Sequence, residues 1–223
     1  MSSPPDSARS RRRPRALAGA LILAASLAGG CASGHLSSKL PGSARVWAQG
    51  PVRWLMLPDE ARRFRRLSSS SEALAFIEAF WRRRDPDPET PGNPFAQKFF
   101  ERVQSADVLY AEPGRAGSLT DRGRALILLG SPSILRYTQR AAPTWDPGEE
   151  GRSRRPPSTE RVRLEVWGYT RDDLPPALVA RLEKSGEDFP VEVSFVEAGP
   201  RSLLVDGEDL LEEAARAAVR EEE

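Results

Sequence analysis

The spacing of apolar residues changes once along this chain, near Gly114, and that change limits the folds open to it. Before it, apolar side chains recur every three to four residues, the period of amphipathic helices. After it, they alternate with period two or gather in short runs between turn residues, as strands do. Helices first and strands afterwards predict an α+β fold, with N-terminal amphipathic helices packed with a small antiparallel β-sheet and a C-terminal helix.

In the first part, Val52–Leu57 reads as a short extended piece. Pro58 suits the first position of a helix, and Asp59 and Glu60 suit its positive end. That helix runs to about Leu67 and buries Ala61, Phe64 and Leu67, with Arg62, Arg63, Arg65 and Arg66 around its other faces. Ser69 and Glu72 form a capping-box pattern for a second helix to about Arg83. Its apolar face is read as Leu74, Ile77 and Trp81, with Ala73 and Phe80 beside them. Asp85-Pro86-Asp87-Pro88 ends it. Asn93-Pro94 then starts a third helix with the stripe Phe95, Phe99, Val103, Ala106 and Tyr110.

In the second part, Gly117–Gly123 is turn chemistry. Arg124–Leu129, closed by Gly130-Ser131-Pro132, predicts a buried strand with Ile134–Tyr137 as its hairpin partner. Gln139–Ser158 holds four prolines and a single large apolar residue, Trp145, which predicts a mobile insertion. Val162, Leu164 and Val166 alternate in a strand ending at Trp167-Gly168-Tyr169, and Val191, Val193 and Phe195 do the same. Leu203–Val205 reads as a last strand, Pro176–Ser185 as a short helix, and Asp209–Arg220 as a helix with Leu211, Ala214, Ala215 and Ala218 on one face.

Ahead of these elements lies a targeting pattern. Arg9–Arg15 hold five arginines, Ala16–Ala28 is apolar apart from Gly19 and Ser26, and Gly29-Gly30-Cys31 follows. An apolar run of this length falls short of the roughly 20 residues that span a bilayer. Leu27-Ala28-Gly29-Gly30-Cys31 resembles a bacterial lipobox, although Ala28 stands where a larger aliphatic is usual. Cys31 is the one cysteine in the chain, and attachment of a lipid accounts for it. Ser10–Arg13 is a poor match to a twin-arginine signal, since Pro14 follows and the bulky apolar pair is missing. The expected organisation is therefore a signal peptide over 1–30, a lipidated Cys31 with a flexible tether over 31–50, a domain over 51–206 and a C-terminal helix over 207–223. Ala32 is not the aspartate that holds lipoproteins at the inner membrane. The expected location is the outer membrane, facing the periplasm, with the membrane as a partner through the lipid.

Removing residues 1–30 takes five arginines and one aspartate from 33 basic and 32 acidic side chains, leaving 28 and 31. Such a balance does not point to nucleic acid. The single histidine, His35, lies in the tether, so neither a usual zinc site nor a histidine-based catalytic set is expected. No metal and no cofactor are expected.

Several segments together resemble the GWxTD-domain family. They are Ala79-Phe80-Trp81-Arg82-Arg83-Arg84-Asp85-Pro86, Glu89-Thr90-Pro91-Gly92-Asn93, Phe99–Val103, Thr120-Asp121-Arg122-Gly123-Arg124, Ile127–Pro132 and Glu165-Val166-Trp167-Gly168-Tyr169. The resemblance spans roughly 52–195. One departure is plain: the tryptophan that names the motif is absent, and Ser118 and Leu119 follow Gly117 instead. The resemblance implies an exported, often lipid-anchored bacterial protein with no established reaction. It marks Arg82, Arg83, Asp85, Pro86, Gly117, Thr120, Asp121, Arg122, Gly123 and Trp167 without giving them roles.

Each marked residue also has a structural explanation. Thr120 and Asp121 can bond their own turn, and an arginine can pair with Asp85 to pin the turn after the second helix. Functionally, the Arg82–Arg84 run could instead grip an acidic partner or lipid headgroups. Trp81 and Trp167 suit a core, while Trp145 could anchor a partner. The leading expectation is a non-enzymatic envelope lipoprotein that binds or organises another envelope protein. The alternatives are a hydrolase in which Asp85 and Asp121 converge, or a small-ligand carrier with a cavity of about 300 Å³ or more.

Overall fold

The computed structural model of the chain describes residues 40, 42–141 and 161–220. The expected signal peptide, Cys31, most of the expected tether and Trp145 lie outside the described residues. No helix among the described residues is long and apolar enough to cross a membrane.

The described residues form seven α-helices and four strands: α1 (Gly42–Gln49), α2 (Pro58–Arg66), α3 (Ser70–Arg82), α4 (Pro94–Leu109), α5 (Asp121–Leu129), β1 (Ile134–Ala141), β2 (Arg161–Tyr169), α6 (Pro176–Lys184), β3 (Val191–Ala198), β4 (Arg201–Asp206) and α7 (Glu208–Ala217). The sheet is an antiparallel meander in the order β1-β2-β3-β4. The architecture is α+β, with the sheet after most of the helices.

The local start signals hold. Ser69 Oγ accepts from Glu72 N while the Glu72 carboxylate accepts from Ser69 N, completing the capping box of α3. Asn93 Oδ1 caps α4 by accepting from Ala96 N at 2.9 Å. The α4 stripe is as expected, with Phe99 and Ala106 buried and Phe95, Val103 and Tyr110 packed against the core.

Several expectations are corrected. Residues 42–49, placed in the tether, form α1, and Trp47 of that helix packs edge-on against Phe80 at 5.2 Å. Pro51–Trp54 is a 3₁₀ turn, not an extended piece. The buried face of α3 is Ala73, Phe76 and Phe80, so the face is rotated from the one expected, and Leu74 is 62% exposed. Phe76 and Phe80 meet the aromatic rings of Phe64 and Trp47, and that larger apolar contact sets the orientation of the helix.

The largest correction is α5. Arg124–Leu129, expected as a strand, is helical, and Ala125, Leu126, Ile127, Leu128 and Leu129 are all buried. A helix enclosed on every side carries no polar stripe, so its sequence looks like a buried strand. Its supposed hairpin partner, Ile134–Tyr137, is the start of β1 and pairs with β2 instead. Finally, Gln139–Ala141 continue β1 rather than opening an insertion, and residues 142–160 lie outside the described residues. The C-terminal helix α7 buries Leu210, Leu211, Ala214 and Ala215 in the common core.

Candidate functional site

The residues singled out in the sequence fall into two groups, one at each end of a bonded chain of contacts. The first surrounds the start of α5. Thr120 is its N-cap: the hydroxyl accepts from Gly123 N at 3.1 Å and donates to the Gly117 carbonyl at 2.7 Å. Thr120 is fully buried, so both bonds form away from water. Asp121 follows in the first turn, where a carboxylate suits the helix dipole. One of its oxygens accepts from Leu204 N of β4 at 2.8 Å, and the other lies 4.0 Å from Arg115. Asp121 therefore ties α5 to the edge of the sheet.

Arg122 reaches Glu165 of β2 at 2.5 Å, and the Trp167 indole N–H donates to that same carboxylate at 2.7 Å. Trp167 packs between Tyr110 and Phe195, with ring centroids 5.4 and 5.0 Å away. Burial, and then the nearby Glu165 carboxylate, raise the Tyr110 hydroxyl above its ordinary value. At the other end of α5, the Arg102 guanidinium donates to the carbonyls of Ile127 and Leu128 at 3.0 and 3.3 Å. Burial lowers Arg102 from the usual arginine value. A cation suits this end of a helix, where carbonyls are left over. The Tyr169 hydroxyl completes the cap by donating to the Gly130 carbonyl at 3.2 Å.

The second group ends α3. Arg82 is exposed, whereas Arg84 is wholly enclosed. Arg84 donates to both oxygens of Glu60, at 3.0 and 2.8 Å, and to the carbonyls of Phe80 and Leu55, at 3.1 and 2.7 Å. Its guanidinium lies 3.7 Å from the Phe80 ring centroid. Burial lowers Arg84 below the ordinary arginine value, and Glu60 opposes that shift. Arg83 adds a bond to Glu60 at 2.6 Å. The partner of this run is Glu60, not Asp85 as expected. Asp85 instead accepts from Asp87 N at 3.1 Å within its own turn, and Pro86 is exposed.

Trp54 and Leu55 join the two groups. The Leu55 carbonyl takes the bond from Arg84, and the Trp54 indole N–H donates to the Ser118 carbonyl at 2.9 Å. Ser118, which stands at the motif's tryptophan position, is buried, and its N–H donates to Asp107 at 2.7 Å. Sequence reasoning missed Glu60, Arg84, Arg102, Trp54 and Glu165 as organising residues. Each works through a partner 23 or more residues away, and nothing in local spacing signals that.

Residues 48–154 match the family model of the GWxTD domain. The chain contains a GWxTD domain. No curated protein and no solved structure matches it. The strand Glu165–Tyr169 lies past the matched residues, yet Arg122 and Glu165 make it part of the same bonded unit as the GWxTD motif.

A cavity of about 180 Å³ opens beside this unit, lined by Tyr110, Glu112, Thr120, Arg122, Glu197 and Ser202 among others. It is smaller than the roughly 300 Å³ typical of small-molecule sites. Asp85 and Asp121 are each engaged with a different backbone N–H, Asp87 and Leu204 respectively.

The contacts of Asp121 give a direct expectation. Asp121→Ala should cost about 1–3 kcal/mol, because Leu204 N loses its acceptor. For a chain of this size that is a melting-point drop of roughly 2–12 °C. Asp121→Asn keeps an accepting oxygen and should cost less. Thermal melts of the three proteins check this, and equal melting points would remove the clamp from the account.

Proposed function

We propose that this chain is a lipid-anchored envelope protein whose GWxTD domain binds or organises another envelope component and does not catalyse a reaction. The observation that supports the non-catalytic part is the destination of the motif's polar groups. Thr120 bonds Gly117 and Gly123, Asp121 bonds Leu204 N, and Arg122 bonds Glu165. These side chains join α5 to the sheet and to the preceding turn. On this reading the motif is a joint that fixes the shape of the domain, and that shape is what a partner meets.

The anchor is proposed at Cys31, from its place after Gly29-Gly30 and its uniqueness in the chain. The proposed location is the outer membrane, facing the periplasm. Cys31→Ala should abolish labelling by a fatty-acid analogue and release the protein from membranes. A variant that still labels and pellets with membranes would refute the anchor. In cells, Asp121 variants should lose function only in proportion to the folded protein they lose. Full stability with lost function would instead assign Asp121 to a ligand or a reaction.

A further inference from the structure

We infer that the exposed arginine face of α2 is a docking surface for anionic phospholipid headgroups, and that it sets the domain in one orientation on the membrane holding its anchor. For its setting, this rests on the lipid-anchor reading above. The surface itself follows from the geometry of α2.

An α-helix turns about 100° per residue. That turn gathers Arg62, Arg63, Arg65 and Arg66 on the side of α2 opposite Phe64, and all four are exposed. Phe64 is locked inward by the rings of Trp47 and Phe76, with centroids 5.7 and 5.2 Å away. The arginines therefore face out as a set. Arg62 pairs with Asp59, while Arg63, Arg65 and Arg66 have no ion-pair partner among the described residues.

Charge along the chain is polarised in the same sense. Residues 42–84 carry nine arginines against four acidic side chains, and residues 161–220 carry eight basic against thirteen acidic. Residues 85–141 are balanced at seven of each. The N-terminal helices are thus net positive and the later strands and helices net negative. An anionic surface attracts the first and repels the second, which selects an orientation as well as a contact.

The anchor would hold the positive part at the bilayer. Eight residues separate Cys31 from Leu40, and so short a segment reaches at most about 32 Å when fully extended. Leu40 is buried in the core cluster that includes Ala44 of α1, and Trp47 of α1 packs on Phe64 of α2. The cationic face thus belongs to the part of the fold nearest the lipid. Guanidinium groups also match phosphate oxygens through paired N–H donors.

The test uses the chain from Ala32 onward, which keeps every described residue and carries no lipid. It is sedimented with phosphatidylcholine vesicles, with and without phosphatidylglycerol. Binding is expected only when phosphatidylglycerol is present, and it should weaken as salt rises. Changing Arg62, Arg63, Arg65 and Arg66 together to Gln should weaken binding about tenfold or more. The melting point of that variant should stay within a few degrees of the parent, because the four side chains are exposed. Lys at the same four positions should retain binding, and so should a control with Arg161→Gln and Arg201→Gln. Equal binding to both kinds of vesicle overturns the proposal, and that is the outcome if this face serves an acidic protein instead. Full binding by the folded Gln variant overturns it too. Since the protein tested has no lipid, these results stand apart from the labelling of Cys31.

Discussion

Replacing Arg84 with Met is expected to lower the melting point of the domain by about 6–20 °C. Arg84 is 1% exposed and donates to Glu60, Phe80 and Leu55. Removing one member of a buried ion pair costs about 3–5 kcal/mol, because the other is left without compensation. In a domain of this size each kcal/mol moves the melting point by about 2–4 °C. Arg83 remains to meet one oxygen of Glu60, which places the single variant short of complete unfolding. Glu60→Leu should be of comparable severity, since it leaves Arg83 and Arg84 without their carboxylate. The double variant Glu60→Leu with Arg84→Met should recover part of the loss, because desolvation of both charges is removed along with their attraction. Thermal melts of the four proteins close the cycle. If the double variant falls by the full sum of the singles, the two side chains do not act as a pair. Arg82→Met serves as the exposed comparison and should shift the melting point little.

Gly117→Ala and Gly123→Ala are each expected to cost about 3 kcal/mol or more, the upper end of what overpacking does. A methyl group at Gly117 would lie 1.9 Å from the Ala106 carbonyl oxygen, and one at Gly123 would lie 1.8 Å from the Gly117 carbonyl oxygen. Both obstacles are backbone, so no rotamer change relieves them. The two glycines bring α4, the turn after it and the first turn of α5 into direct backbone contact. That closeness also lets the Thr120 hydroxyl bond both Gly117 and Gly123. The spacing of the motif therefore has a mechanical origin. Gly42→Ala provides the contrast, with nothing within 4 Å of the added methyl; it should be neutral within about 0.5 kcal/mol. Denaturant titration of the three variants measures the difference. A Gly123→Ala protein as stable as its parent would mean that α5 can shift away from the turn, and the tight joint would not be needed.

Features that depend on neighbours in sequence were legible without coordinates. The Ser69–Glu72 capping box, the Asn93 cap and the α4 stripe each arise within one or two turns of backbone. So does the alternation of β3, where Val191, Val193 and Phe195 enter the core as the pleat requires; β2 instead buries Val166–Tyr169 in a row and gives Trp167 and Tyr169, not Val162, Leu164 and Val166, to the core cluster. The motif residues were visible as a set, and Thr120 bonds its own turn as read, but Asp121 bonds Leu204 of β4 and not its own turn. The helix that Thr120 caps, and the sheet edge that Asp121 holds, were not visible.

The sequence by itself determined the order of helices before strands, most element starts and the GWxTD motif with Ser118 at the tryptophan position. Those are matters of local period, cap chemistry and residue identity, which need no partner to be expressed. Tertiary structure alone decided that Arg124–Leu129 is helical, because a segment surrounded by α4, α7 and the sheet has no polar face to reveal its period. It alone decided which side of α3 faces inward, because Phe64 and Trp47 lie where Phe76 and Phe80 can meet them. And it alone decided that Arg84 is enclosed with Glu60 while Arg82 meets water, because burial of a charge depends on a partner brought from 24 residues away.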